Sequence, residues 1–219
     1  MVLFQLFMAV FMIEGMVYAE DWTKFNSSVL IEVTRPNGVF TSTGVAVADK
    51  TIITAGHSLA GEVIKVRVFL NESYDPKSPY LEVSSFNVHP DYNPVKSRYL
   101  SDVARIILKE KLPSPIKIYP IYESTLIDGN LYRLGFGGRN KKTNRTVITP
   151  TFRAVNLKEQ VLELNDKFSR SGDSGGPVFI QRNGNFAIVA IHSTFSSGSQ
   201  GEFSYNPLLA PYLSWIYQN

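Results

Sequence analysis

A single serine among glycines lies late in the chain, within the segment Gly172–Pro177. Glycines let a backbone turn sharply and approach a substrate closely, so such a loop can direct two N–H groups at one point. Acyl transfer needs donors of this kind, because they stabilise the negative oxygen of the tetrahedral intermediate. Ser174 is therefore a candidate nucleophile, and an ordinary turn serine is the alternative.

A hydroxyl is a weak nucleophile unless a base lies within hydrogen-bond reach and a third group orients that base. The chain has three histidines, and His57 directly follows the strand-like run Thr51–Thr54 and a small turn. Asp102 stands at the head of the apolar run Val103–Leu108. These positions make His57 a candidate general base and Asp102 its orienting acid. A packed core histidine is the alternative for His57.

Three segments in chain order carry a resemblance: Thr54–His57, Ser101–Ala104 and Gly172–Pro177. They resemble the signature segments of the chymotrypsin-type, trypsin-like serine peptidases. The match extends over roughly residues 28 to 217. The same serine loop also fits the nucleophile elbow of α/β-hydrolases. Those enzymes place the acid after the serine, and no Asp follows residue 173 in this chain.

The resemblance implies a role for each residue of the site. His57 would be the general base, Asp102 the acid that holds it, and Ser174 the nucleophile, with the N–H groups of Gly172 and Ser174 as the oxyanion hole. Ser193 would support Asp102 from behind. The aspartate beside the nucleophile, here Asp173, receives a freed N-terminal ammonium in the family. No activation start of the family type is recognisable, so the partner of Asp173 stays open.

Substrate preference would come from the pocket next to the nucleophile. In the family, the residue six positions before the nucleophile lies at the base of this pocket, and here it is Phe168, which disfavours basic substrates unless Asp166 takes its place. His192 and Ser169 resemble the glutamyl-endopeptidase-like branch of bacterial enzymes and could bind a carboxylate. A packed strand histidine is the alternative, and Phe195 could fill the pocket. The candidate substrate-binding residues are Phe168, Ser169, His192, Ser193 and Thr194.

Short β-branched and aromatic runs separated by turn residues fill the chain after residue 19. They predict an all-β fold of two six-stranded antiparallel β-barrels, of the chymotrypsin-like kind, divided at a Pro-rich crossing. Residues 20–115 would form the first barrel, with His57 and Asp102, and residues 116–205 the second, with Ser174. Apolar residues at three- and four-residue spacing predict a C-terminal α-helix over 206–219.

The first residues resemble a secretory signal peptide over 1–19, because Val2–Ile13 is almost entirely apolar but too short to span a membrane. A buried N-terminal helix is the alternative. Export predicts a secreted or periplasmic protein without a stable membrane anchor.

Composition narrows the function classes further. The 219 residues have a net charge of +3 and no cysteine, which excludes disulfides, thiolate metal sites and a cysteine nucleophile. So small a net charge argues against a nucleic-acid partner. Two minor expectations are that His89 lies solvated in a loop and that Arg145 belongs to an exposed basic loop.

The sequence therefore predicts a secreted serine endopeptidase that acts as a monomer on protein or peptide substrates, with no cofactor and no metal. The alternative function is a catalytically silent homologue that binds a partner through a peptidase-like surface.

Overall fold

The computed structural model describes residues 25–95, 98–139, 142–198 and 201–218. The signal peptide predicted over residues 1–19 lies outside the described residues. Among the described residues, no helix is long and apolar enough to cross a membrane.

The first half of the chain forms a closed six-stranded antiparallel barrel with the strand order β1-β2-β3-β8-β5-β4. This confirms the first predicted barrel. The strands of this half are β1 (Ser28–Arg35), β2 (Gly38–Ala48), β3 (Thr51–Thr54), β4 (Lys65–Phe69), β5 (Leu81–Val88), β6 (Asn93–Val95), β7 (Arg98–Leu100) and β8 (Ala104–Leu108). A single helical turn, α1 (Gly56–Leu59), follows β3, and β6 and β7 pair as a separate hairpin.

Alternating side chains explain why these strands close on themselves. Val29, Ile31 and Val33 of β1 point into an entirely apolar cluster with residues of the other strands, whereas Glu32 between them pairs with Arg67 outside that cluster. One face of each strand is thus buried in a common interior. Burial of that face fixes the register, because a shift by one residue would turn the apolar set outward.

The second half contains two four-stranded sheets, with the orders β12-β9-β15-β16 and β13-β14-β18-β17, and its closure into the predicted six-stranded barrel stays a prediction. Their strands are β9 (Asn130–Gly135), β12 (Thr146–Ile148), β13 (Thr151–Asn156), β14 (Val161–Asn165), β15 (Pro177–Arg182), β16 (Asn185–Ile191), β17 (Thr194–Gly198) and β18 (Gly201–Pro207). The short hairpin β10 (Gly138–Arg139) and β11 (Lys142–Thr143) lies apart.

The strand count differs from the expectation for two physical reasons. Pro150 lies between β12 and β13, and because proline lacks an N–H it separates two strands within the run 147 to 155, which the sequence pattern predicts as one strand. Conversely, β17 and β18 contain several Ser and Gly residues and no Val, Ile or Leu, yet they pair from Thr194 with Tyr205 to Gly198 with Gly201.

The C-terminal helix is shorter than predicted. Asn206 and Pro207 end strand β18, where the buried Asn206 side chain donates to the Leu162 carbonyl. A 3₁₀ turn (Ala210–Tyr212) and one α-helical turn, α2 (Leu213–Ile216), follow. The start at residue 206 is therefore wrong, because pairing with β14 extends the strand through the beginning of the apolar repeat.

The two halves share a core. Val45 and Val103 of the first half belong to the same buried cluster as Leu134, Phe179 and Tyr212 of the second. The site described next lies on segments from both halves, so this shared core fixes their relative positions. The predicted boundary between residues 115 and 116 falls in the strand-free segment from 109 to 129 and stays a prediction.

Candidate active site

Three side chains far apart in sequence meet between the two halves. The ring of His57 lies with Nδ1 2.7 Å from Asp102 Oδ2 and with Nε2 2.9 Å from Ser174 Oγ. Asp102 is completely buried, whereas the His57 side chain is 23% exposed. The structure thus brings together the three residues that the sequence singled out, in a chain of hydrogen bonds that runs from the buried Asp102 through the partly exposed imidazole to Ser174.

The turn after β3 presents His57. Strand β3 ends at Thr54, and Gly56 opens the single turn α1. A Cβ on Gly56 would lie 3.1 Å from Asp102 Oδ1, so the absence of a side chain allows the histidine turn to approach the acid. The Tyr99 ring lies against the His57 ring, with the two centroids 4.9 Å apart.

Asp102 is a buried carboxylate with three hydrogen-bond donors. The backbone N–H of His57 donates to Oδ1 at 2.7 Å, its Nδ1 lies against Oδ2, and Ser193 Oγ donates to Oδ2 at 2.5 Å. Burying a charge is costly unless it is hydrogen-bonded in this way. When Nδ1 is protonated and donates its hydrogen bond to Asp102, Nε2 has no proton and can accept from the Ser174 hydroxyl.

The loop around Ser174 depends on two glycines in the left-handed region. Gly172 has φ +98° and Gly175 has φ +82°, conformations that residues with side chains rarely adopt. A Cβ on Gly175 would also collide with Thr54 Oγ1 and the Thr43 carbonyl. The N–H of Gly175 donates to the His192 carbonyl at 2.7 Å.

Strand β2 of the first half supports this loop, a contribution that the sequence analysis missed. Thr43 N–H and Ser42 Oγ both donate to the Ser174 carbonyl, at 2.8 and 2.7 Å. Thr43 Oγ1 donates to the Gly172 carbonyl at 2.8 Å and accepts from the Phe136 N–H at 2.9 Å. The available signal was the run of three hydroxyl residues, 41 to 43, within an otherwise apolar strand.

Asp173 finds a partner that the sequence had left open. Its carboxylate lies 3.1 Å from Nη1 of Arg133, and both side chains are fully buried. The carboxylate also accepts from the N–H groups of Gly137 at 2.7 Å and Arg170 at 2.9 Å. Arg133 forms a second ion pair with the buried Asp166. A buried guanidinium thus lies between two buried carboxylates directly beneath the serine loop.

The candidate substrate-binding residues cluster around this charged group. Ser169 Oγ donates to Asp166 Oδ2 at 3.0 Å, and the Phe168 N–H donates to Asp166 Oδ1 at 3.0 Å. His192 is buried, and its Nδ1 lies 3.3 Å from Asn206 Oδ1. Burial, reinforced by the charge of Arg133, lowers the pKa of His192 to about 4, so its ring is neutral at pH 7.

The rim of this region is formed by the start of β17. Ser193 precedes the strand and Thr194 opens it. Phe195 follows with 52% of its surface exposed, so its side chain does not fill a buried pocket.

Two minor expectations of solvent exposure are wrong. His89 is half-buried, and its ring lies 4.9 Å from the rings of both Tyr212 and Trp215. Arg145 is buried and pairs with Glu72 at 3.0 Å, across the two halves of the molecule. In both cases a distant segment covers a side chain whose neighbours in sequence suggested exposure.

The family comparison agrees with this geometry. The family model described as Trypsin matches residues 22–216. No curated protein matches the sequence. Because the family match covers nearly the whole chain, including His57, Asp102 and Ser174, the chain belongs to the trypsin family of serine peptidases.

Proposed function

We propose that the protein is a secreted serine endopeptidase that cleaves protein or peptide substrates through an acyl-enzyme intermediate. The observation that carries the proposal is the continuous chain of hydrogen bonds from Asp102 through His57 to Ser174. It rests also on membership of a peptidase family. Residues 1–19 support export by their composition alone.

Acylation begins at Ser174. As its Oγ attacks the scissile carbonyl carbon, the hydroxyl proton passes to Nε2 of His57, 2.9 Å away. Asp102 keeps the other ring nitrogen protonated and stabilises the imidazolium that forms. The tetrahedral intermediate collapses when His57 returns the proton to the leaving amine, and water then repeats the sequence on the ester.

The developing oxyanion needs fixed donors. We assign this role to the backbone N–H groups of Gly172 and Ser174, which flank Asp173 and lie on the loop held by Thr43. Each donor of this kind contributes roughly 3 to 4 kcal/mol to transition-state stabilisation. The loop is shaped before substrate binds, since its glycine conformations and its hydrogen bonds to β2 are intramolecular.

For substrate preference, we propose that Phe168, Ser169, His192, Ser193 and Thr194 line the pocket beside Ser174. An acidic preference would require free donors, but Ser169 Oγ donates to Asp166 and burial keeps His192 neutral. Because Ser169 already donates to Asp166 and His192 carries no charge, the pocket favours a substrate with an uncharged side chain before the cleaved bond. Cleavage mapping on a peptide library tests this, and enrichment of Glu or Asp before the cut would restore the acidic preference.

The alternative, a silent homologue, predicts no reaction at the serine. A fluorophosphonate probe and casein digestion separate the two functions. We expect the wild type to label and to digest casein, and Ser174→Ala to do neither. A wild type that does not label and behaves like Ser174→Ala on casein would support the silent homologue.

Export can be tested separately. N-terminal sequencing of protein recovered from the medium or periplasm should begin near residue 20. Recovery only from the cytoplasm, with the first residues intact, would remove the signal peptide from the account while leaving the peptidase chemistry unaffected.

A further inference from the structure

We propose that Arg133 is a positioning residue that holds the oxyanion loop in its active shape, so that activity requires no free N-terminal ammonium. The proposal rests on the peptidase function above. In the family that the chain resembles, an N-terminal ammonium is the partner of the aspartate beside the nucleophile. Here that position is Asp173, and a strand side chain lies against it.

The position of Asp173 gives this ion pair its leverage. Asp173 is the residue between Gly172 and Ser174, whose N–H groups form the proposed oxyanion hole. Its carboxylate accepts hydrogen bonds from Gly137 and Arg170 and pairs with Arg133. A movement of this carboxylate would rotate the peptides on both sides of it, and with them the two N–H groups.

One segment supplies most of the groups that surround the Asp173 carboxylate. Arg133 and Gly135 lie on β9, and Gly137 follows two residues later. A Cβ on either glycine would collide with the Asp173 carboxylate, so the missing side chains admit it. The groups that hold the Asp173 carboxylate thus lie on β9 and directly after it. Because β9 pairs with β12 and β15, these groups take their places when the second half folds.

Charge balance supports the same inference. The guanidinium of Arg133 is fully buried and faces Asp166 after β14, Asp173 before β15 and the neutral His192 after β16. Burial lowers the pKa of Arg133, but the carboxylates of Asp173 and Asp166 more than offset this effect and raise that pKa above its usual value. This guanidinium therefore keeps its charge at alkaline pH, as arginine does in proteins, whereas an α-amino group with an unperturbed pKa of about 8 loses its charge on mild alkalinisation.

The first experiment needs no substitution in the site. Fluorophosphonate labelling rates are measured from pH 7 to pH 10 on two forms of the protein, one beginning at residue 20 and one carrying a retained N-terminal tag before that residue. We expect both forms to label at equal rates and the rate to stay level at alkaline pH. Labelling restricted to the untagged form, or a reversible fall of its rate near the pKa of an amine, would overturn the proposal.

The second experiment compares two arginines that each pair with a buried carboxylate. Arg133→Met should lower the labelling rate by about 100-fold or more, as expected for a displaced oxyanion donor. Arg67→Met, which removes the partner of Glu32 on the first barrel, should lower thermal stability and leave the rate within about threefold. Equal rates for a folded Arg133→Met and the wild type would overturn the proposal.

A conservative variant distinguishes positioning from general stabilisation. Arg133→Lys keeps the charge, so it should recover much of the rate at pH 7. The rate should then fall at alkaline pH, because lysine has a pKa of about 10.4 in water and burial lowers it. A purely structural role predicts no such fall. If no form of the protein labels at any pH, the proposed peptidase function itself fails, an outcome distinct from labelling that depends on the N-terminus.

Discussion

The two halves of the molecule hold their parts of the site by different means. In the first half, the barrel interior that supports His57 and Asp102 is a purely apolar cluster within a closed ring of strands. The second half is built from two sheets, and beneath Ser174 it buries Arg133 with its two carboxylate partners. The support of the histidine turn is thus mainly apolar, apart from the buried Asp102 itself, whereas the serine loop lies on several buried charges whose geometry is directional.

This difference implies different sensitivities. Apolar packing tolerates substitutions of similar volume, usually at a cost below about 1.5 kcal/mol. Breaking a buried ion pair leaves an uncompensated charge and costs several kcal/mol. We therefore expect the serine loop to be the fragile part of the site and the histidine turn the robust part.

The largest effect should come from the nucleophile. Ser174→Ala should lower kcat by about 10⁴-fold or more, because the covalent step is lost while binding remains. Ser171→Ala, three residues earlier in the same loop region, is the matched control and should retain normal activity. Steady-state kinetics on a peptide ester checks both, and comparable loss in the two variants would point to general disruption of the loop.

The buried histidine should make the second half sensitive to acid. His192 has a pKa of about 4 when folded and about 6.5 when unfolded, so the unfolded chain binds the additional proton between these values. Stability from this group is therefore complete above pH 6.5 and is lost as the pH falls toward 4, by up to about 3 kcal/mol.

Urea unfolding at several pH values, on the wild type and on His192→Gln, measures that contribution. The pH slope of stability should be smaller in the variant, since glutamine does not titrate. Identical slopes in the two proteins would show that His192 does not take up a proton on unfolding.

The contact between the halves should have an intermediate effect. Thr43→Val removes a hydroxyl that bonds the Gly172 carbonyl and the Phe136 N–H, leaving both groups buried without it. We expect kcat/KM to fall about 30-fold, equivalent to about 2 kcal/mol. Thr34→Val on β1 is the matched control. Unchanged kcat/KM in Thr43→Val would show that the loop keeps its shape without β2.

The smallest effect should come from an exposed ion pair of the first half. Lys111 and Asp49 lie 2.8 Å apart, but both side chains are largely exposed. Lys111→Ala should change the melting temperature by no more than about one degree, since solvent screens such pairs. A clear drop in melting temperature would mean that the robustness of the first barrel depends on its surface charges.

Sequence reasoning located the reacting groups better than their support. His57, Asp102 and Ser174 lie in short local motifs, and local patterns also predicted most strands of the first barrel. Arg133 and Thr43 act through residues about 40 and 130 positions away, and apart from the hydroxyl run 41 to 43 nothing adjacent to them in sequence marks those contacts. The last two strands of the second half were not predicted for the same reason, because β17 and β18 contain no Val, Ile or Leu and are held by pairing with each other and with β14.

The most direct test of the account is the mass of the intact protein after reaction with a fluorophosphonate, followed by peptide mapping. We expect one adduct per molecule, located on Ser174, and a labelling rate that collapses in His57→Ala. An adduct on another residue, or a rate that does not depend on His57, would contradict the claim that His57 activates Ser174 in this site.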